Sequence, residues 1–143
     1  MNSEQNNDKR AVVDFDLFPE EEMIDVGSFP NLTVHIKHNW YSEDTDHGRS
    51  LLSSFMTALA GSSQKTAVLL LSGSAVKMLD DKDPLNDELI RLSQNSMLTG
   101  ACIESLEEYD IDTEDKKDLR ITLYTATDLA FEILGADHLI TLE

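Results

Sequence analysis

Cysteine is almost absent from this chain: there is one, Cys102, in 143 residues. A single thiol cannot close an internal disulfide, which excludes the stapled scaffolds of small secreted domains. Cationic residues are scarce too, with 11 Lys and Arg against 28 Asp and Glu and a net charge of −17 at pH 7. That balance repels phosphate backbones and anionic lipid, so nucleic acid and membrane surfaces are excluded as natural partners. A basic protein partner fits the charge, and so does a solvated acidic surface that keeps the protein soluble. Long hydrophobic runs are also missing. The longest, "AVLLL" at 67–71, falls far short of the roughly 20 apolar residues that span a bilayer. The opening "MNSEQNNDKRAVVDFD" lacks the basic and then apolar regions of a signal peptide. These absences together predict a cytoplasmic protein.

What is present is a regular alternation. The length predicts one domain with one core. Residues 1–30 read as an acidic N-terminal extension, partly flexible, outside a domain at 31–143. Within the extension Val13, Phe15, Leu17 and Phe18 alternate partly, as in an edge strand or a docking arm, while Pro19, Gly27 and Pro30 interrupt it. From Asn31 the chain turns periodic. "NLTVHIKHN" places Leu32, Val34 and Ile36 on one face of a strand and Thr33, His35 and Lys37 on the other. "WYSEDTDHG" reads as a loop, and "RSLLSSFMTALAG" as a helix closed by Gly61. "TAVLLL" has the continuous apolar run of a strand covered on both faces.

After "SGSAVKML", a loop or short helix, "DPLNDELIRLSQ" predicts a helix with Asp83 as cap and Pro84 at the first helical position. "MLTGACI" predicts a buried strand, "ESLEEYDI" a helix, "DLRITLYT" a strand, "ATDLAFEILG" a helix and "DHLITLE" a last strand. Alternating strands and helices with short connections predict a three-layer α/β/α sandwich, its sheet mainly parallel and about five strands wide. Chemistry in such sheets sits at the carboxyl ends of the strands. Cys102 lies at one.

Several other residues invite a functional reading. His35, His38, His47 and His138 lack metal-ligand spacing and read as surface or loop histidines, so no metal and no cofactor is expected. "LSGSAV" puts Ser72, Gly73 and Ser74 after a strand without the glycine pattern or lysine of a phosphate loop. It reads as a turn lining the site, with both serines as hydrogen-bond donors. Trp40 and Tyr41 follow the first strand as a hydrophobic lid or as packing. With His38 and Trp40, Ser72, Gly73 and Ser74 form the candidate binding set. The charge run "SLEEYDIDTEDKKD" reads as solvated surface.

Three segments carry a resemblance to the DsrE-like family of sulfur-relay proteins of the DsrE/TusD type. They are "DDKDPLNDELIRL", "GACIESLEEYDI" and "LYTATDLAFEILGADHLITLE", and the resemblance covers residues 31–143. It implies that Cys102, at the end of the third strand, receives sulfur as a persulfide. It also implies a homo-oligomer, a trimer or hexamer, and a sulfur donor or acceptor protein as partner. The activity would be that of a sulfurtransferase or persulfide carrier subunit.

The physical argument over Cys102 runs in two directions. A thiol at a helix start faces free N–H groups that favour thiolate, and Gly100 and Ala101 leave room beside it. From Leu92 to Asp115 there is no Lys, Arg or His, while Glu104, Glu107 and Glu108 follow closely. Negative charge raises a thiol's pKa, so cationic help would come from elsewhere, with His35, His38 and His47 as candidates. An unpaired cysteine is also a common small core residue. Three functions therefore stand: a sulfur carrier with an at least partly open Cys102, a non-catalytic interaction or regulatory module with Cys102 structural, and a small-ligand or nucleotide-binding domain.

Overall fold

The computed structural model describes residues 32–114, 116 and 119–143. The N-terminal extension, with Val13, Phe15, Leu17 and Phe18, lies outside the described residues. The elements in chain order are β1 (Leu32–Ile36), α1 (Asp46–Ala60), β2 (Thr66–Leu71), a 3-10 helix (Gly73–Leu79), α2 (Asn86–Gln94), β3 (Ser96–Cys102), α3 (Ile103–Glu108), β4 (Ile121–Tyr124), α4 (Ala126–Leu134) and β5 (His138–Leu142). Among the described residues the sheet has five strands in the order β4-β3-β2-β1-β5. Every pairing is parallel. The α/β/α sandwich read from the alternation is the fold.

Period-two alternation assigns each strand residue to a layer. Leu32, Val34 and Ile36 join Leu69, Leu71 and Ala101 on one face, under Leu52 and Met56 of α1, Leu89 and Leu92 of α2, and Leu106 of α3. Ala75, Val76, Met78 and Leu79 of the 3-10 helix complete this main core. Each fully buried Leu here contributes about 2 kcal/mol relative to exposure. The opposite face is thinner: Leu70 and Cys102 pack under Leu129 of α4, with Val68, Tyr124 and Ile133 around them. β1 is buried at all five positions, so its polar-looking face of Thr33 and His35 does not meet solvent.

Two helix starts differ from the sequence reading. α1 begins at Asp46, inside the segment read as loop, because Thr45 caps it and its Oγ1 accepts from Gly48 N at 3.0 Å. α2 begins at Asn86, with Leu85 at the cap position and no side-chain cap. Asp83 serves the preceding turn instead, its Oδ1 accepting from Leu85 N at 2.8 Å. "SGSAVKML" forms the 3-10 helix, entered through Gly73 at φ 56. A Cβ at Gly73 would stand 2.7 Å from the Lys37 carbonyl oxygen, so both the turn and the close approach of β1's end require glycine.

Candidate functional site

The strand order locates the site. The chain steps outward from β1 through β2 and β3 to β4 and then returns to place β5 beyond β1. α3, leaving β3, packs into the main core through Leu106. α4, leaving β4, covers the other face through Leu129. The connections after β3 and β4 therefore part to opposite sides of the sheet. Such a parting at the carboxyl ends opens the crevice in which parallel α/β sheets bind ligands. Cys102 ends β3 and pairs in register with Tyr124, which ends β4.

Cys102 is 5% exposed. The carrier reading called for an at least partly open thiol and the interaction-module reading for a buried one; here Leu70 lies beside it and Leu129 of α4 packs with both. Its Sγ–H donates to Glu104 Oε1 at 3.6 Å, and the same oxygen accepts from Ala126 N at 2.9 Å. Glu104 thereby fastens the start of α3 to the start of α4 across the crevice. Cys102 is also the N-cap of α3, but α3 has only six residues and its dipole is correspondingly small.

Gly100 lies two residues back on the same face. A Cβ there would press into the Tyr124 ring, 2.7 Å from Cδ2, and approach Leu70 Cδ2 at 3.1 Å. Glycine therefore lets the Tyr124 ring lie across β3 next to Cys102. Burial, Glu132 and Asp128 raise the Tyr124 phenol's pKa, so it stays a neutral hydroxyl.

One strand inward lies a buried polar pair. His35 is 9% exposed, and its Nε2 is hydrogen-bonded to Ser72 Oγ at 2.8 Å. This corrects the reading of His35 as a surface or loop residue: β1 is the fourth strand of five and both its faces are covered. Burial pushes the His35 pKa down, nearby Lys37 lowers it further, and Glu143 partly opposes them. His35 is therefore neutral near pH 7. Its unfolded form titrates at about 6.5, so between that value and the lower folded pKa the unfolded chain binds more protons. The stability this gives is fully present above pH 6.5 and is lost as pH falls through the folded value. In urea titrations, unfolding free energy should drop below pH 6.5 by at most about 1.4 kcal/mol per unit. The comparison is with His35→Gln, whose loss on acidification should be smaller by this contribution; parallel curves for the two proteins would refute it.

The remaining candidates divide between two loops. Ser74 Oγ accepts from Asn39 N at 3.1 Å, joining the 72–74 turn to the chain after β1. Gly73 N donates to Ser105 Oγ at 2.8 Å, which occupies the amide a phosphate would need. His38 and Trp40 stack on each other, ring centroids 3.9 Å apart and planes 3° from parallel. They follow β1, two strands from β3, so they flank Ser72 and Ser74 rather than Cys102. Tyr41 packs against Phe55, centroids 4.7 Å apart, and joins the main core. His47 lies exposed in the first turn of α1, away from the thiol.

Sequence reasoning placed the site at the carboxyl end of the third strand but did not select Tyr124 or Leu129 as part of it. A cavity of about 550 Å³ opens beside Ile103, with Leu106, Ile111 and the 52% exposed Leu123 as its apolar wall. Glu107, Asp110, Asp112 and Glu114 line its rim. The signal was the strand order, which periodicity does not carry. Among the described residues no group of three or more His, Cys, Asp and Glu side chains could hold a metal. Nor is any described helix long and apolar enough to cross a membrane.

No protein-family model and no curated protein matches the chain. Solved structures do. YchN from E. coli superposes with a TM-score of 0.52 at 17% identity, covering 78% of this chain and 98% of its own. BT1422 from Bacteroides thetaiotaomicron gives 0.53 at 16%, over 77% and 94%. MTH1491 from Methanobacterium thermoautotrophicum gives 0.54 at 15%, over 77% and 96%. The last two are described as proteins of unknown function. At these identities the likeness is one of fold: this chain shares the three-layer α/β/α architecture of these structures.

Proposed function

We propose that the protein is an intracellular sulfur-relay protein that accepts sulfur as a persulfide on Cys102 and passes it on. The observation that supports this reading is the position of its one thiol at the carboxyl end of β3, where the connections part. In the reaction the Cys102 thiolate attacks the outer sulfur of a donor persulfide, R–S–SH. The Cys102 Sγ–S bond forms, the R–S bond breaks, and its electron pair leaves with R–S⁻. No external oxidant or reductant is needed. The acidic rim beside Ile103 and the net charge of −17 suit a basic donor or acceptor protein.

Mass spectrometry after incubation with a persulfide donor tests this. Native protein should gain one sulfur atom, and Cys102→Ser should gain none while keeping its fold. Native protein that stays unlabelled, when the urea-unfolded chain labels under the same donor, would end the carrier reading.

The burial of Cys102 favours a second reading, a non-catalytic oligomeric interaction or regulatory module with the thiol as core. α4 is apolar on both sides: Leu129 and Ile133 meet the sheet, while Phe131 (64% exposed) and Leu134 (79% exposed) point outward with Ala130. Large apolar side chains on the outer side of a helix call for cover there. A second copy of the chain, in the trimer or hexamer that the resemblance implies, would supply it.

A further inference from the structure

We propose that residues 12–18 of the N-terminal extension dock on the open edge of β5 as a further strand, within the same chain. This goes beyond the carrier reading and does not depend on it.

β5 lies at one end of the sheet and pairs only with β1 among the described residues. Its hydrogen-bonding directions follow residue by residue. Leu142 O accepts from Lys37 N at 3.2 Å, so Leu142 turns its backbone groups toward β1. In a parallel ladder alternate residues bond to one side, so Ile140 does the same while Leu139 and Thr141 turn theirs away. Glu143 continues the alternation, its outward O accepting from Ser42 N at 3.0 Å. The loop after β1 thus closes the carboxyl end of this edge. Among the described residues, the N–H and C=O groups of Leu139 and Thr141 face no strand.

The side chains at this edge are apolar and partly exposed. Leu139 is 43% and Ile140 38% exposed, whereas Leu142 is buried in the main core. The two stand on opposite faces, Ile140 level with Val34 and Leu139 level with Thr33. "HLITL" carries neither the lysine nor the proline that guards an edge strand. An edge of this kind calls for cover.

The extension has the reach and the pattern. It joins the sheet at Leu32, which pairs with His138, so it enters beside the amino half of β5, the half that is exposed. Residues 19–31 separate Phe18 from Leu32 and span up to about 43 Å at about 3.3 Å each. β5 itself is about 17 Å long. "VVDFDLF" at 12–18 puts Val13, Phe15 and Leu17 on one face of a strand and Val12, Asp14, Asp16 and Phe18 on the other. Whichever face the first set takes, it meets Leu139 or Ile140. Asp14 and Asp16 then charge the new edge and Pro19 ends it, which keeps a further strand from adding.

Charge decides between this occupant and a second copy at the same edge. Two copies would each bring a net charge of −17. Within 12–18 only Asp14 and Asp16 are charged, and the tether supplies an effective concentration on the order of a millimolar. The extension therefore reaches the edge first.

Amide hydrogen exchange on the full chain, read residue by residue by NMR, tests the docking. The amides of Leu139 and Thr141 should be protected in the native protein, to a degree that does not change on dilution. Phe15→Asp combined with Leu17→Asp should speed their exchange by about tenfold or more. Ile140 and Leu142, bonded to β1, should keep the native rate and report that the domain is folded. Thr141→Pro is the reciprocal variant, since it removes an outward N–H and spares the ladder to β1. It should abolish the alternate-residue protection that the native protein shows within 12–18.

Fast exchange at Leu139 and Thr141 in the native protein would overturn the inference. Protection that survives Phe15→Asp with Leu17→Asp would do the same, as would protection within 12–18 that survives Thr141→Pro. Protection that fades on dilution would assign the edge to a second copy and overturn it as well. None of these measurements involves Cys102, so the carrier reading stands or falls separately.

Discussion

Gly48→Ala should lower the unfolding free energy by about 3 kcal/mol, at the upper end of what overpacking costs. A Cβ at residue 48 would collide with the Glu43 carbonyl oxygen and stand 2.9 Å from Tyr41 O and 3.0 Å from Glu43 C. All three are backbone atoms, so no side chain can swing aside. Nor is the loop free to lift. Tyr41 N donates to Gly48 O at 3.0 Å, and Ser42 N donates to Glu143 O at 3.0 Å beyond β5. Ser42 is already at φ 74. At about 4 °C per kcal/mol for a chain of this size, the melting midpoint should fall by about 12 °C. Gly135→Ala is the control. Its Cβ would meet Phe131 O at an ordinary 3.4 Å, so its midpoint should stay nearly unchanged. Equal melting of the two variants would refute the steric argument.

The same loop shows what the sequence could and could not convey. "TAVLLL" and "ATDLAFEIL" are bounded as the pattern reads, because a buried run and an amphipathic stripe depend only on nearest layers. Gly48 reads as the end of a loop, although Thr45 has already capped α1 and the helix is under way. Asp83 followed by Pro84 has the composition of a helix start, but its carboxylate is taken by the turn to Leu85. Such choices between two nearby hydrogen-bond donors are decided by packing.

The candidate site was legible in part. That Cys102 ends a strand follows from "MLTGACI" running into "ESLEEYDI". That it is covered does not, because its cover is Leu129, 27 residues later, on a helix placed by the return of β5 to the far side of β1. His35 was read as exposed because the residues alternating with Leu32, Val34 and Ile36 are polar. A strand with neighbours on both sides and layers on both faces buries them regardless, and the Ser72 hydroxyl meets the imidazole. Periodicity reports which residues share a face; it does not report how many layers stand over that face.

Leu129→Ala should raise the alkylation rate of Cys102 in folded protein by about thirtyfold. The thiol, 5% exposed, reacts only while its cover is open, so the rate follows the free energy of that opening. Leu129 is the buried side chain of α4 that packs on Leu70 and Cys102. Truncating a buried Leu costs about 2–5 kcal/mol. If about 2 kcal/mol of this falls on the opening of α4, the open population rises by about thirtyfold. Leu89→Ala decides whether the opening is local. Leu89 is fully buried in the core on the opposite face, under α2, and its truncation should destabilise the whole domain by a similar amount. With opening confined to α4, iodoacetamide should modify Leu89→Ala at nearly the native rate and Leu129→Ala much faster. Equal acceleration in both would mean that Cys102 is reached only through global unfolding, which no carrier could use in each cycle. A carrier requires a cover that lifts while the main core stays closed. Among the described residues α4 meets that requirement in form: nine residues long, seated through one buried side chain, over a face separate from the main core.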